Sequence, residues 1–280
     1  MTTYYKKYVL ILIILLQVLI LSAQKATTNR TKYFPREEIK AIDIPDKSKV
    51  WVFILAGQSN MAGRGLVEAQ DTVPNNRILT INSNNGVIVA KEPIHFYTPD
   101  YKGLGCGLSF AKNLLNNIPE DIYLLLLPTA VGGSSINKWI KDIPHRNVPL
   151  YSNFKEKVAL GKQYGTIKAV LWHQGEADAN KNGILKRQDN LKNLFNSFRD
   201  DVENNQLPIL IGELGAFSKE PDLWHQINKE NRKYARKDKY AVIIKAEDLE
   251  EKGDRVHFNS TAQRELGKRY AQKYIRCFSK

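Results

Sequence analysis

What most constrains this chain is a series of short apolar runs, at 50–56, 122–127, 167–172, 207–211 and 240–246, separated by longer amphipathic stretches. Each run is rich in Val, Ile and Leu without polar alternation, so each reads as a strand buried on both faces of a parallel sheet. Between the runs the apolar residues follow helical spacing. Leu108, Ala111, Leu114 and Leu115 share one face ahead of Pro119, and Leu191, Leu194, Phe195 and Phe198 share another ahead of Pro208. A last helix over 261–274 is opened by Asn259 and Ser260, both good capping residues. Strand and helix alternating in this way predict a doubly wound α/β sheet with right-handed crossovers. The stretch 66–98, rich in Asn and β-branched residues, reads as a hairpin-bearing excursion on the same domain. No internal repeat and no second core interrupts the pattern.

The chain of 280 residues has an ordinary apolar content of 42% and two cysteines. Disordered, collagenous and coiled-coil classes are excluded, as are a disulfide scaffold and a four-cysteine zinc site. At the N-terminus, Lys6 and Lys7 precede an apolar run over 9–21 broken only by Gln17, followed by Ser22, Ala23 and Gln24. This is the pattern of a secretory signal, so residues 1–23 are read as a signal peptide and the protein as exported. The run is shorter than the roughly 20 residues needed to span a bilayer, so membrane attachment is expected only if the segment stays uncleaved. Residues 24–48 are polar and read as a linker or an early edge element ahead of a domain at 49–280. The net charge of +13 is spread among acidic residues, as in Lys229-Glu230-Asn231-Arg232-Lys233. No basic stretch carries interleaved aromatics, so a solvated basic surface is expected and a nucleic-acid partner is not. The oligomeric state is left open.

In a doubly wound sheet, ligands bind outside the carboxyl ends of the strands. The unusual residues of this chain follow its apolar runs. After the first comes Gly57-Gln58-Ser59-Asn60-Met61, where a serine at a helix start has backbone N–H groups beside it that stabilise developing negative charge. Alone, Ser59 is also an ordinary N-cap. After the second run comes Gly132-Gly133-Ser134, whose glycines permit close backbone approach and equally suit a plain turn. After the third comes Trp172-His173-Gln174-Gly175-Glu176-Ala177-Asp178, where so many buried polar groups are costly unless paired or used. Gln174 can donate to an oxyanion and Glu176 can orient a histidine; a metal pair of His173 and Glu176 lacks further ligands, so no metal is expected. Ahead of the last helix lies Asp254-Arg255-Val256-His257, a spacing that brings a carboxylate under the imidazole Nδ1 and leaves Nε2 to take a proton from serine.

Together these blocks, in this order, resemble those of the SGNH hydrolases, and more narrowly the sialate O-acetylesterase and acetylxylan esterase group, carbohydrate esterase family 6. The resemblance implies a three-layer α/β/α flavodoxin-like fold with a central parallel sheet, and removal of O-acetyl groups from an acetylated oligo- or polysaccharide without a cofactor. Carried over by position, Ser59 matches the nucleophile and His257 the base, with Asp254 or Glu176 as third member. Gln174 stands where the wider superfamily has an oxyanion-hole Asn, with the N–H groups of Ser59 and Gly133 completing the hole. The chemistry fits esters of short acids, since no exposed apolar run offers the acyl trough of a lipase. The alternatives are a lipid or aryl esterase and a carbohydrate-binding protein without activity. Trp139, Tyr151 and Trp224 are candidate sugar-stacking aromatics. Cys106 is expected as a small buried residue, with a Cys106–Cys277 disulfide as the alternative.

Overall fold

The computed structural model describes residues 30–278 together with Tyr8 and Leu12. The expected signal segment, 1–23, therefore lies outside the described residues but for those two. The apolar runs form strands β1 (Val50–Gly57), β4 (Tyr123–Pro128), β5 (Thr166–His173), β6 (Ile209–Gly212) and β7 (Ala241–Ile244). The excursion supplies β2 (Ile78–Ile81) and β3 (Val87–Val89), which pair as an antiparallel hairpin. All seven strands make one sheet in the order β3-β2-β4-β1-β5-β6-β7, parallel except at β3. Among the five strands of the apolar runs the order is second, first, third, fourth, fifth, which is flavodoxin-like. The polar segment before β1 is an edge element: Lys40 bridges Ile88, and the Val89 N–H donates to the Ile39 carbonyl at 2.8 Å.

The helices are α1 (Ser59–Ala62), α2 (Gly107–Leu115), α3 (Ile136–Ile140), α4 (Leu150–Tyr164), α5 (Lys181–Leu185), α6 (Arg187–Val202), α7 (Pro221–Lys237) and α8 (Ser260–Phe278). Alternate residues of β1 explain why its run lacks polar positions. Val50, Val52, Ile54 and Ala56 pack with Leu150, Phe154 and Val158 of α4 and with Leu194 and Phe198 of α6. Phe53 and Leu55 face the other layer, Phe110 and Leu114 of α2 with Leu266 and Tyr270 of α8. Each large side chain so buried contributes about 1.5–3 kcal/mol, so both faces of the strand had to be apolar.

Three expectations are corrected here. Trp139 and Trp224 are buried, at 0% and 5% exposure, and do not reach a sugar. Trp139 Nε1 donates to Ser134 Oγ at 3.0 Å, which lets an indole sit in the core. Tyr151 packs against Phe154 and Phe198 and bonds Asp201 through its hydroxyl. Cys106 is buried and Cys277 exposed, and both are free, so the alternative disulfide is not formed.

Candidate active site

The carboxyl ends of β1 and β5 are drawn together at Gly57. Its φ of 131° is in the range glycine tolerates, and a Cβ there would lie 2.1 Å from the His173 carbonyl oxygen. The following N–H, of Gln58, donates to that same oxygen at 2.9 Å. This clasp fixes where Ser59 begins its helix. The helix is a single turn, because Gly63 with φ 86° ends it, so Ser59 is served by local N–H groups rather than by a long helix dipole. The Ser59 N–H has no carbonyl partner among the described residues.

The loop before α8 brings the imidazole to this serine. His257 Nε2 lies 3.0 Å from Ser59 Oγ, and Nδ1 lies 2.7 Å from Asp254 Oδ2. Asp254 Oδ1 also accepts from the N–H groups of Val256 and His257, at 3.0 and 2.8 Å, which fixes the loop. Against its partial burial, the His257 ring and these N–H groups pull the Asp254 carboxyl down to about 2. The imidazole is held below its ordinary value. Burial is the larger cause; the Asp254 hydrogen bond and charge work upward, and Arg64 and Lys252 add to the lowering. The upward shift expected for a His paired with a carboxylate is thus reversed. Since a base must be neutral to accept a proton, the acid limb of the rate against pH is expected below about 6.5, with a plateau at neutral pH. A pH series of kcat/KM on a neutral acetyl ester checks this, and a midpoint above the ordinary His value would contradict it.

The structure brings Ser59, His257 and Asp254 into one hydrogen-bonded line, and leaves Glu176 outside it. Glu176 Oε1 accepts from Asn60 Nδ2 at 2.7 Å, and burial raises its carboxyl. Asn60 holds both neighbours of His257: its Nδ2 donates to the Val256 carbonyl at 3.0 Å, and its Oδ1 accepts from the Phe258 N–H at 3.1 Å. Glu176 therefore reaches the base only through Asn60. The place expected for Gln174 is also corrected. It is fully buried, and its amide nitrogen donates to Asp178 at 2.6 Å, with Ser134 O and Gln58 Oε1 at 3.2 and 3.3 Å. With its donor so occupied, Gln174 supports the glycine loop from behind. Gly133 is exposed, with φ 80°, and its N–H has no carbonyl partner among the described residues. His173 packs edge-on to Phe258 at 5.6 Å, and burial lowers it to about 3, so it is neutral.

The residue that sequence reasoning missed is Arg187. Between Lys186 and Gln188 it reads as solvated, yet it is wholly buried. Its guanidinium donates to Gln174 Oε1 and to the Gln174 carbonyl, each at 2.7 Å, and to Asn231 at 2.8 Å, with Asp178 at 3.6 Å. Only its i+4 spacing to Leu191, on the apolar face of α6, could have hinted at this. Arg64 was also passed over. It bonds the Gly63 carbonyl and Thr98, and it has no carboxylate at ion-pair distance among the described residues.

A serine beside an imidazole held below its ordinary pKa, with its own N–H left without a carbonyl partner among the described residues, is suited to acyl transfer. Residues 49–276 match the family described as carbohydrate esterase, sialic acid-specific acetylesterase. The chain belongs to that family. Members of the sialic acid-specific acetylesterase family are carboxylic ester hydrolases acting on carbohydrates, and so is this chain. A probable carbohydrate esterase of Arabidopsis thaliana is 30% identical over 252 residues, spanning 81% of this chain and 91% of the relative. The crystal structure of an Arabidopsis thaliana protein superposes with a TM-score of 0.73 at 28% identity, covering 84% of this chain and 100% of that one. NanS, at 18% identity and a TM-score of 0.68, covers 83% of this chain and 98% of its own and shares the fold.

Proposed function

We propose that this esterase removes O-acetyl groups from sugars with Ser59 as nucleophile, His257 as base and Asp254 as its orienting carboxylate. The observation that carries the reading is the unbroken line from Ser59 Oγ to Nε2 at 3.0 Å and from Nδ1 to Asp254 at 2.7 Å. Ser59 Oγ attacks the acetyl carbonyl while His257 Nε2 takes its proton, and the oxyanion is met by the N–H groups of Ser59 and Gly133. His257 then returns the proton to the departing sugar hydroxyl. Water, deprotonated by the same imidazole, attacks the acetyl-serine; acetate leaves and Ser59 regains its proton.

Of acetylated sialic acid and acetylated xylan, the acidic sugar is the better match. Burial first, then Arg146 and Arg30, lower Arg64 to about 10, so the two other guanidinium groups repel that of Arg64, which borders Gly132 as Ser59 does. Among the described residues none of the three has a carboxylate partner. A substrate anion would relieve this, and the family description, sialic acid-specific, points the same way. Export through residues 1–23 is part of the proposal and rests on Lys6, Lys7 and the apolar run that follows. The test is acetate release from a panel of acetylated sialic acids and acetylated xylan oligosaccharides. Higher kcat/KM on the acidic sugars is expected; a preference for xylan would overturn the anionic choice. Release from no acetylated sugar would overturn the whole reading.

A further inference from the structure

We propose that His145, Arg146 and Lys138 are positioning residues that lock the Gly132–Gly133 peptide with its N–H turned toward the reacting carbonyl. The proposal rests on the esterase reading above. Two successive glycines leave a peptide plane nearly free to rotate, and a rotated plane would offer the oxyanion a carbonyl instead of a donor. The structure restrains that plane from its far side. The Gly132 carbonyl oxygen accepts from His145 Nε2 at 3.0 Å and from Arg146 Nε at 3.0 Å. The only cis peptide among the described residues is Glu92–Pro93, so the Gly132–Gly133 bond is trans. In a trans peptide the C=O and the N–H point in opposite directions. Pinning the Gly132 oxygen therefore aims the Gly133 N–H. The pinned peptide borders the nucleophile: a Cβ placed on Gly132 would lie 3.5 Å from Ser59 Cβ, with the Arg64 guanidinium nearer still.

The lock has an internal logic. Lys138 Nζ lies 2.8 Å from His145 Nδ1, and an ammonium can only donate. Nδ1 must accept, so the proton of the neutral ring sits on Nε2, where Gly132 needs a donor. Both donors sit on a small hairpin, Pro144–His145 paired with Val148–Pro149. Its two turn residues, Arg146 and Asn147, have φ of 51° and 63°, the tight turn that matches strand twist. Nothing in the sequence around Lys138 or His145 announced this role.

The test is steady-state kinetics on p-nitrophenyl acetate, a neutral ester whose binding does not depend on the arginines. Loss of one oxyanion donor costs about 10²–10³ in kcat. His145→Phe combined with Arg146→Ala is expected to lower kcat by about 10²-fold with KM nearly unchanged, while the thermal midpoint stays near that of the parent. His145→Gln keeps an amide donor at similar reach and is expected to recover most of the loss in the single His145→Phe variant. Should the double variant not fold, Lys138→Met, which removes only the tautomer lock, is expected to lower kcat in the same sense. Parental kcat in a folded double variant, a change confined to KM, or His145→Gln as poor as His145→Phe would each overturn the proposal. Lys138→Met with parental kcat would do so as well. Ser59→Ala separates the two readings: full activity there would remove the esterase mechanism, whereas silent His145 variants of an enzyme that Ser59→Ala inactivates would remove only the lock.

Discussion

Ser59→Ala is expected to leave the fold and the thermal midpoint intact and to lower turnover of acetyl esters by several orders of magnitude. The side chain is buried at 6% exposure, and among the described residues its hydroxyl bonds only the imidazole, so its loss strands no core polar group. What disappears is the proposed nucleophile, and removing the serine of such a triad costs about 10⁶ in kcat where it has been dissected. Burst kinetics on p-nitrophenyl acetate, together with acetylation of Ser59 seen by mass spectrometry, give the direct check. Turnover within tenfold of the parent would exclude Ser59 as the attacking group.

The second large effect separates the two carboxylates. Asp254→Asn is expected to lower kcat by up to about 10⁴, the cost known for a base held in the wrong tautomer. An asparagine amide can present its N–H₂ to Nδ1, which forces the ring proton onto Nε2 and blocks proton uptake from Ser59. Glu176→Gln keeps a carbonyl oxygen to accept from Asn60, so a loss below about tenfold is expected there. Measuring kcat for both variants on one ester decides the matter. If Glu176→Gln proved the more damaging, the orienting role would pass to Glu176 through Asn60.

The fold was legible wherever burial left no choice of residue type. The first, third and fourth apolar runs had to be apolar on both faces because helical layers cover both sides of the sheet there. The hairpin at 66–98 was legible as a hairpin. That it extends the main sheet was not, because no periodicity announces the pairing of β2 with β4, where Thr80 faces Leu126 and its hydroxyl reaches the Leu126 carbonyl. That Ser59, Asp254 and His257 come together was readable because short spacing and strand-end position constrain them locally. Gln174 and Glu176 were misplaced since a residue list after a strand does not say which side chains face the cleft and which turn back to Arg187 or Asn60. Arg187 itself was invisible. A cation enters the core only where carbonyl, amide and carboxylate oxygens from distant segments converge, and that convergence is a property of the finished fold.

The hydrogen bond between Ser59 and His257 joins positions 198 residues apart, the first strand to the loop that leads into the last helix. Closing so wide a separation is entropically expensive and tends to come late in folding. The loop that carries the imidazole leads into the final helix, which packs tightly: a methyl group on Gly267 would lie 2.4 Å from the Cys106 carbonyl oxygen. If the proposed triad does the chemistry, turnover requires this contact, and a chain shortened before residue 257 is expected to be chemically silent. Hydrolysis of a chromogenic ester can serve as a stopwatch for completed folding, one that starts only when both ends of the sequence have met.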